Sequence, residues 1–138
     1  MRATARGKGF TLLELLVVVI IIGILASIAI PQFVRVTERS RQAEARTILG
    51  AIRTAEAAYY QQNDTYATAI GQLDIDDPNA AALEHFFSYT VATVAGPPLG
   101  FLATATRQTA GGKNPNWAIG YTITLDRAGD FGGDGRGP

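Results

Sequence analysis

Residues Gly7–Phe33 read GKGFTLLELLVVVIIIGILASIAIPQF. Phe10 to Ile30 is a run of 21 residues in which Glu14 is the only charge. At about 1.5 Å per residue, a helix of this length spans roughly 31 Å, close to the hydrocarbon thickness of a bilayer. A secretory signal peptide has a shorter apolar core, roughly 7–15 residues, with a small-residue cleavage site behind it. Here the run is longer and the cleavage-like residue, Gly9, stands in front of it. The stretch therefore predicts a membrane-spanning helix over residues 10–30. Arg2, Arg6 and Lys8 precede Phe10 with no acid among them, and Glu38 follows Pro31. That asymmetry places the N-terminus in the cytoplasm and everything beyond residue 30 on the far side. On hydropathy alone an uncleaved membrane anchor fits as well. What it leaves unexplained is why a carboxylate stands near the start of a lipid-compatible rod.

The whole chain has 138 residues, 12 basic and 12 acidic, enough for one domain with a modest core. If the chain is cut before Phe10, nine basic and twelve acidic residues remain, a net side-chain charge of −3. A mildly acidic product argues against nucleic acid as a direct partner, because phosphate binding wants a surplus of Lys and Arg. There is no cysteine, which excludes disulfides, thiolate metal sites and thiol nucleophiles. No Gly-rich phosphate loop, Ser-His-Asp set, metal cluster or paired acids appear, so the reading is a protein that is not an enzyme.

Beyond the apolar run the helical period continues. Ala45, Ile48, Ile52, Ala55 and Tyr59 recur at steps of three and four and predict one apolar stripe. Arg39, Arg41, Glu44, Arg46, Arg53 and Glu56 are assigned mostly to the other faces. One helix is expected from about residue 10 to 62, stopped by Asn63 and Asp64. Pro31 predicts a kink and Gly23 a softer point before it. Residues 63–84 read as a long connection that packs on the domain or carries a short helical turn. The period then changes to two. HFFSYTVATV puts Phe87, Tyr89 and Val91 on one face, and LGFLATATR alternates after a GPP break. WAIGYTITLD sets Trp117, Ile119, Tyr121, Ile123 and Leu125 on one face and Ala118, Gly120, Thr122, Thr124 and Asp126 on the other. Three strands joined by turns predict an antiparallel meander covered by the helix stripe. The tail, FGGDGRGP, is expected to hold no fixed structure unaided. The fold class is therefore α+β: a long kinked N-terminal helix, its second half (31–62) amphipathic and packed on a small antiparallel β-sheet within a head spanning 63–138.

KGFTLLELLVVVIIIGILASIAIPQF resembles the N-terminus of type IV pilins and the related pseudopilins. The likeness covers about a quarter of the chain, and charge, length and punctuation coincide in it. The resemblance implies a pilin fold and a leader peptide, residues 1–9, which a prepilin peptidase removes after Gly9. It implies N-methylation of the new Phe10 amine and insertion in the inner membrane as a precursor. Export by inner-membrane pilus assembly machinery follows, into an extracellular pilus or a periplasmic pseudopilus that is a homo-oligomeric filament. It also gives Glu14 a partner: the carboxylate neutralises the Phe10 amine of a neighbouring subunit. A lone carboxylate in the apolar core costs about 2.5–3.5 kcal/mol on insertion scales. Pairing offsets much of that and sets the axial stagger, as buried polar groups do in coiled coils. Gly23 to Pro31 is the segment expected to soften as subunits pack.

Major pseudopilins of type II secretion bind calcium in an acidic C-terminal loop, which DRAGDFGGDG, with Asp126, Asp130 and Asp134, resembles in composition. A full Ca²⁺ loop pattern is lacking, so no cofactor is assigned and solvated turn residues are the reading here. His85, the sole histidine, reads as a surface or packing residue. Phe33, Tyr59, Tyr60 and Tyr66 read as packing aromatics rather than an electron path. The functional expectation is a type IV pilus subunit. A type II secretion pseudopilin stands second, and a membrane-anchored binding domain that never polymerises third. Adhesion belongs to the first of these only through the family.

Overall fold

The computed structural model describes residues 9–80, 86–108 and 120–134. Within them the order is α1 (Leu12–Asn63), a one-turn 3₁₀ helix (Ile70–Gln72), β1 (Phe87–Val94), β2 (Gly100–Arg107), β3 (Thr122–Asp126) and β4 (Phe131–Gly133). The chain divides into two units, residues 1–37 and 38–138, the second being the head.

In the first unit α1 is assigned without a break through Gly23 and Pro31. Its start is a reciprocal cap. The Thr11 hydroxyl accepts the Glu14 N–H at 3.2 Å, and a Glu14 carboxylate oxygen accepts the Thr11 N–H at 3.4 Å. Thr-x-x-Glu is the capping-box pattern, which serves two of the amide donors that a helix start leaves over. From Leu12 to Ile30 the large side chains are exposed, from 47% at Val17 to 84% at Leu12. By length and composition α1 is the helix here that can cross a membrane.

In the head, the second half of α1 lays its apolar stripe on the sheet. The stripe is centred one residue away from the sequence expectation. Ala45, Leu49 and Ile52 are fully buried, while Ile48, Ala55 and Tyr59 pack at the margin. Glu56, expected on an outer face, is also fully buried, as is Glu38. Positions 38, 45, 49, 52 and 56 follow the steps of seven, four and three that keep one helix face turned inward.

The sheet is an antiparallel meander, β1-β2-β3-β4. Strand alternation supplies its inner layer. Phe87, Tyr89 and Val91, then Phe101, Ala103 and Ala105, then Tyr121, Ile123 and Leu125 are buried with the helix stripe. Trp117, Ile119, His85 and the GGKNPN loop lie outside the described residues, as do leader residues 1–8. On the outer layer, register sets Thr90, Thr104 and Thr124 side by side, a row of hydroxyls across three strands.

The tail expectation is corrected over residues 131–133, which form β4 on β3. The glycines permit it. Gly133 has φ +146, and a Cβ there would collide with the Thr122 carbonyl. A Cβ on Gly132 would stand 2.9 Å from the Thr124 hydroxyl. Glycine therefore allows the last strand to close on its neighbour.

The connection after α1 does both things expected of it. It makes the 3₁₀ turn, whose start is held by Gln72 accepting the Thr68 and Ala69 N–H groups at 2.8 and 3.2 Å. It also packs inward through Tyr66, Ala67, Ile70 and Leu73. Tyr66 stacks on Tyr60 at 4.7 Å and tilts against Phe101 at 5.1 Å. Asn79 then fastens the loop to the free edge of β1. Its side-chain carbonyl accepts the Tyr89 N–H at 2.7 Å, and its amide donates to the Tyr89 carbonyl at 2.9 Å.

Glu56 anchors the same loop from below. One carboxylate oxygen accepts the Ala67 N–H at 2.9 Å, and the other, buried, has no partner among the described residues. Burial pushes its pKa up, and the single N–H does not offset that. A raised folded pKa means the stabilising contribution is present below the unfolded value and is lost as pH rises through the folded one. Glu56→Gln, isosteric with the neutral acid, is therefore expected to melt higher than wild type at pH 8 and alike at pH 4. Roughly 4–8 °C of midpoint accompanies each kcal/mol in a domain of this size. Equal melting curves at pH 8 would show that Glu56 is ionised in place at no cost.

Candidate filament-assembly segment and the clamp behind it

Two groups of residues stand out, one in each unit. In the first, Gly9, Phe10, Thr11 and Glu14 follow one another at the start of α1. Gly9 has open space where a Cβ would stand, and Phe10 is 80% exposed. Glu14 is the only ionisable side chain between Phe10 and Ile30, and its local partner is the Thr11 amide. The resemblance to pilins implies another subunit's amine as its partner; within the chain, TLLE carries the capping-box signature.

The second set is a buried ion pair in the head. The Arg107 guanidinium grips Glu38 at two points: Nε to Oε1 at 2.6 Å and Nη2 to Oε2 at 3.3 Å. The Tyr121 hydroxyl donates to Oε1 at 2.9 Å, and Arg41 Nη1 to Oε2 at 3.1 Å. Arg107 Nη1 also donates to the Phe86 and Gln108 carbonyls, each at 2.9 Å. Glu38 is 1% exposed and Arg107 3%. Phe86 lies under both cations, 4.0 Å from Arg41 and 5.3 Å from Arg107. Burial alone would raise the Glu38 pKa. The hydrogen bonds from Arg107 and Tyr121, the guanidinium charge and Arg41 together outweigh it and hold the carboxyl below its usual range. Burial, then the Glu38 carboxylate, push Tyr121 up to about 12, so it stays a donor. The network ties α1 to the end of β2 and the approach to β3. A signal for it was present: Arg107 falls in phase with Phe101, Ala103 and Ala105 on the inward face of β2.

Two of the three tail aspartates, Asp126 and Asp134, accept hydrogen bonds from the backbone. Asp126 Oδ1 accepts the Gly129 and Asp130 N–H groups, each at 2.9 Å, and Asp134 Oδ1 accepts the Thr122 N–H at 3.2 Å. The Asp130 amide, with those of Gly129 and Ala128, holds Asp126 below the usual carboxylate range. Among the described residues no three Asp, Glu or His side chains converge on one point.

Comparison with known proteins bears on the first set. The prokaryotic N-terminal methylation motif matches residues 5–30. The type IV major fimbrial protein FimA of Dichelobacter nodosus is 34% identical over 129 residues, covering 87% of this chain and 80% of that protein. This chain belongs to the type IV pilin family. The pilin is also 40% identical to the type IV major pilin protein PilA of Myxococcus xanthus, over 69% of this chain and 41% of that one. It is 40% identical to the type II secretion system core protein G of Escherichia coli, over 49% of this chain and 47% of that one. The pilin thus spans less than half the length of these two relatives. The relatives' names are those of pilins, fimbrial proteins and a secretion core protein, not of enzymes.

Proposed function

We propose that this pilin is a body subunit of a type IV pilus. It is made as a membrane-anchored prepilin, cut after Gly9 by a prepilin peptidase and N-methylated at Phe10. The inner-membrane machinery then extracts it into a filament of copies of itself. The observation that carries this reading is the exposure of every large apolar side chain of α1 from Leu12 to Ile30. Side chains this apolar need lipid on one side of extraction and a bundle of like helices on the other, so the two steps are coupled. Glu14 then exchanges partners. In the single chain it accepts the Thr11 amide, and in the bundle it meets the Phe10 ammonium of a neighbour.

A secretion pseudopilus is the second reading. The core protein G of E. coli and that of Aeromonas hydrophila, 40% and 38% identical, favour it. The test is to shear fibres from cells producing this chain and weigh the N-terminal peptide. Fibres made mainly of this chain, beginning with methylated Phe10, are expected. An intact Met1 on the mature chain would overturn the proposal, and fibres appearing only when a secretion apparatus is overproduced would favour the second reading.

A further inference from the structure

Charge is segregated along the head. From Glu38 to Arg53 there are four arginines and two glutamates. Between Arg53 and Arg107 there are six acids and neither Lys nor Arg. The fold turns this into two patches. Arg39, Arg46 and Arg53 recur every seven residues on α1, a step that rotates by only about 20° and advances about 10.5 Å, so they line one exposed face. Arg53 donates to the Arg127 and Ala128 carbonyls, and Arg46 lies 5.6 Å from the Phe131 ring. On the loop, Asp74, Asp76 and Asp77 are exposed within four residues.

The loop is not a loose string of acids. Leu73 and Pro78 on either side are buried, Asp77 accepts the Asn79 N–H at 2.8 Å, and Asn79 is bolted to Tyr89. The segment that carries these carboxylates is therefore fixed to the head. The two patches do not neutralise one another inside the molecule. Among the described residues both ion pairs belong to Glu38, and none joins the arginine face to the loop.

We propose that Arg39 and Arg46 on α1 of one copy dock on the Asp74–Asp77 loop of the next. This inference rests on the filament reading and names its head-to-head contact. The occupant is a second copy because both halves of the complementary pair are on this chain, at equal abundance, and among the described residues no ion pair joins them internally. Two different patches that recognise each other make a heterologous contact. Such contacts do not stop at a dimer and propagate into an open helical array when the rotation does not close. The fixed loop lowers the ordering cost of each contact, and the arginines add steering and register.

The test uses the full chain, with sheared-fibre yield as the readout and N-terminal mass as the control for processing. Asp74→Lys/Asp76→Lys/Asp77→Lys and, separately, Arg39→Glu/Arg46→Glu are each expected to lower yield about tenfold or more, some 1.4 kcal/mol per contact. Both sets combined in one chain restore the charge pairing in reverse and are expected to return most of the yield. Arg39→Gln/Arg46→Gln, a milder change on exposed sites, is expected to give fewer fibres than wild type that fall apart less steeply with added salt. If either reversal alone, or the Gln variant, matches wild type in yield and salt response, the docking is wrong while the filament reading stands. Failure of the combined swap, in a chain whose near-UV dichroism in detergent matches wild type, also overturns it. A wild-type chain that yields no fibre sinks the filament reading and this inference with it.

Discussion

Arg107→Met is expected to unfold the head at a much lower temperature than the wild-type chain. The substitution leaves Glu38 inside the protein with the Tyr121 hydroxyl and Arg41 as its remaining donors. Removing one partner of a buried, hydrogen-bonded ion pair costs about 3–5 kcal/mol, because the other charge remains desolvated. Glu38→Leu should also destabilise the head, since it takes the carboxylate from a buried guanidinium whose Nη1 keeps the Phe86 and Gln108 carbonyls. The double variant Glu38→Leu/Arg107→Met is expected to recover most of the loss, the two apolar side chains packing where the pair stood. Thermal melts of the detergent-solubilised chain, read by near-UV dichroism, measure all three. If the double variant falls as far as the sum of the singles, the pair is not acting as a unit. The pH dependence follows from the same contacts. The folded Glu38 pKa is lowered, so its contribution is present above its unfolded value, about 4.3, and is lost as pH falls through the folded one. In Arg107→Met that acid-side loss should shrink or reverse, because burial then dominates at Glu38.

Glu14→Gln is expected to leave the precursor in the membrane at normal level and to stop filament growth. The reason lies in the two roles the carboxylate can fill. As a cap it accepts the Thr11 amide, and a glutamine side chain does that equally well, since the capping box accepts either residue. As a counter-charge to a neighbour's ammonium it has no neutral substitute. A carboxylate in an apolar medium carries a penalty of about 2.5–3.5 kcal/mol, so a site that keeps one must recover that much from its partner. Loss of a contact of that size lowers each subunit-addition equilibrium about a hundredfold. Thr11→Val makes the converse change: it removes the hydroxyl of the cap, about 1 kcal/mol of helix stability, and keeps the charge. It should still give fibres. Normal fibres from Glu14→Gln together with failed assembly from Thr11→Val would mean that Glu14 serves its own helix and nothing beyond it.

Much of the fold was legible because its periods are strong. The change from steps of three and four in α1 to alternation in β1, β2 and β3 can be read directly, and the buried face of each strand followed. What escaped was of three kinds. The helix stripe was centred on Ile48 rather than Leu49, because charged residues were assigned outward by type. Glu38 and Glu56 are buried for tertiary reasons, an arginine from β2 and a loop amide, and neither partner is near in sequence. β4 was missed because glycine, usually a sign of an unfixed chain, is here what lets the strand come close to Thr122 and Thr124. The Thr11–Glu14 cap escaped as well, although its Thr-x-x-Glu pattern is local.

Asn79 has a consequence for crowding. In a bundle of copies the heads are held at very high effective concentration, the regime in which an open β-strand edge recruits its twin and seeds insoluble side-by-side sheets. With the Tyr89 amide and carbonyl both occupied by one side chain, that position of β1 offers no foothold to a pairing strand. Each copy then carries one foothold fewer for fusing with close neighbours through the backbone.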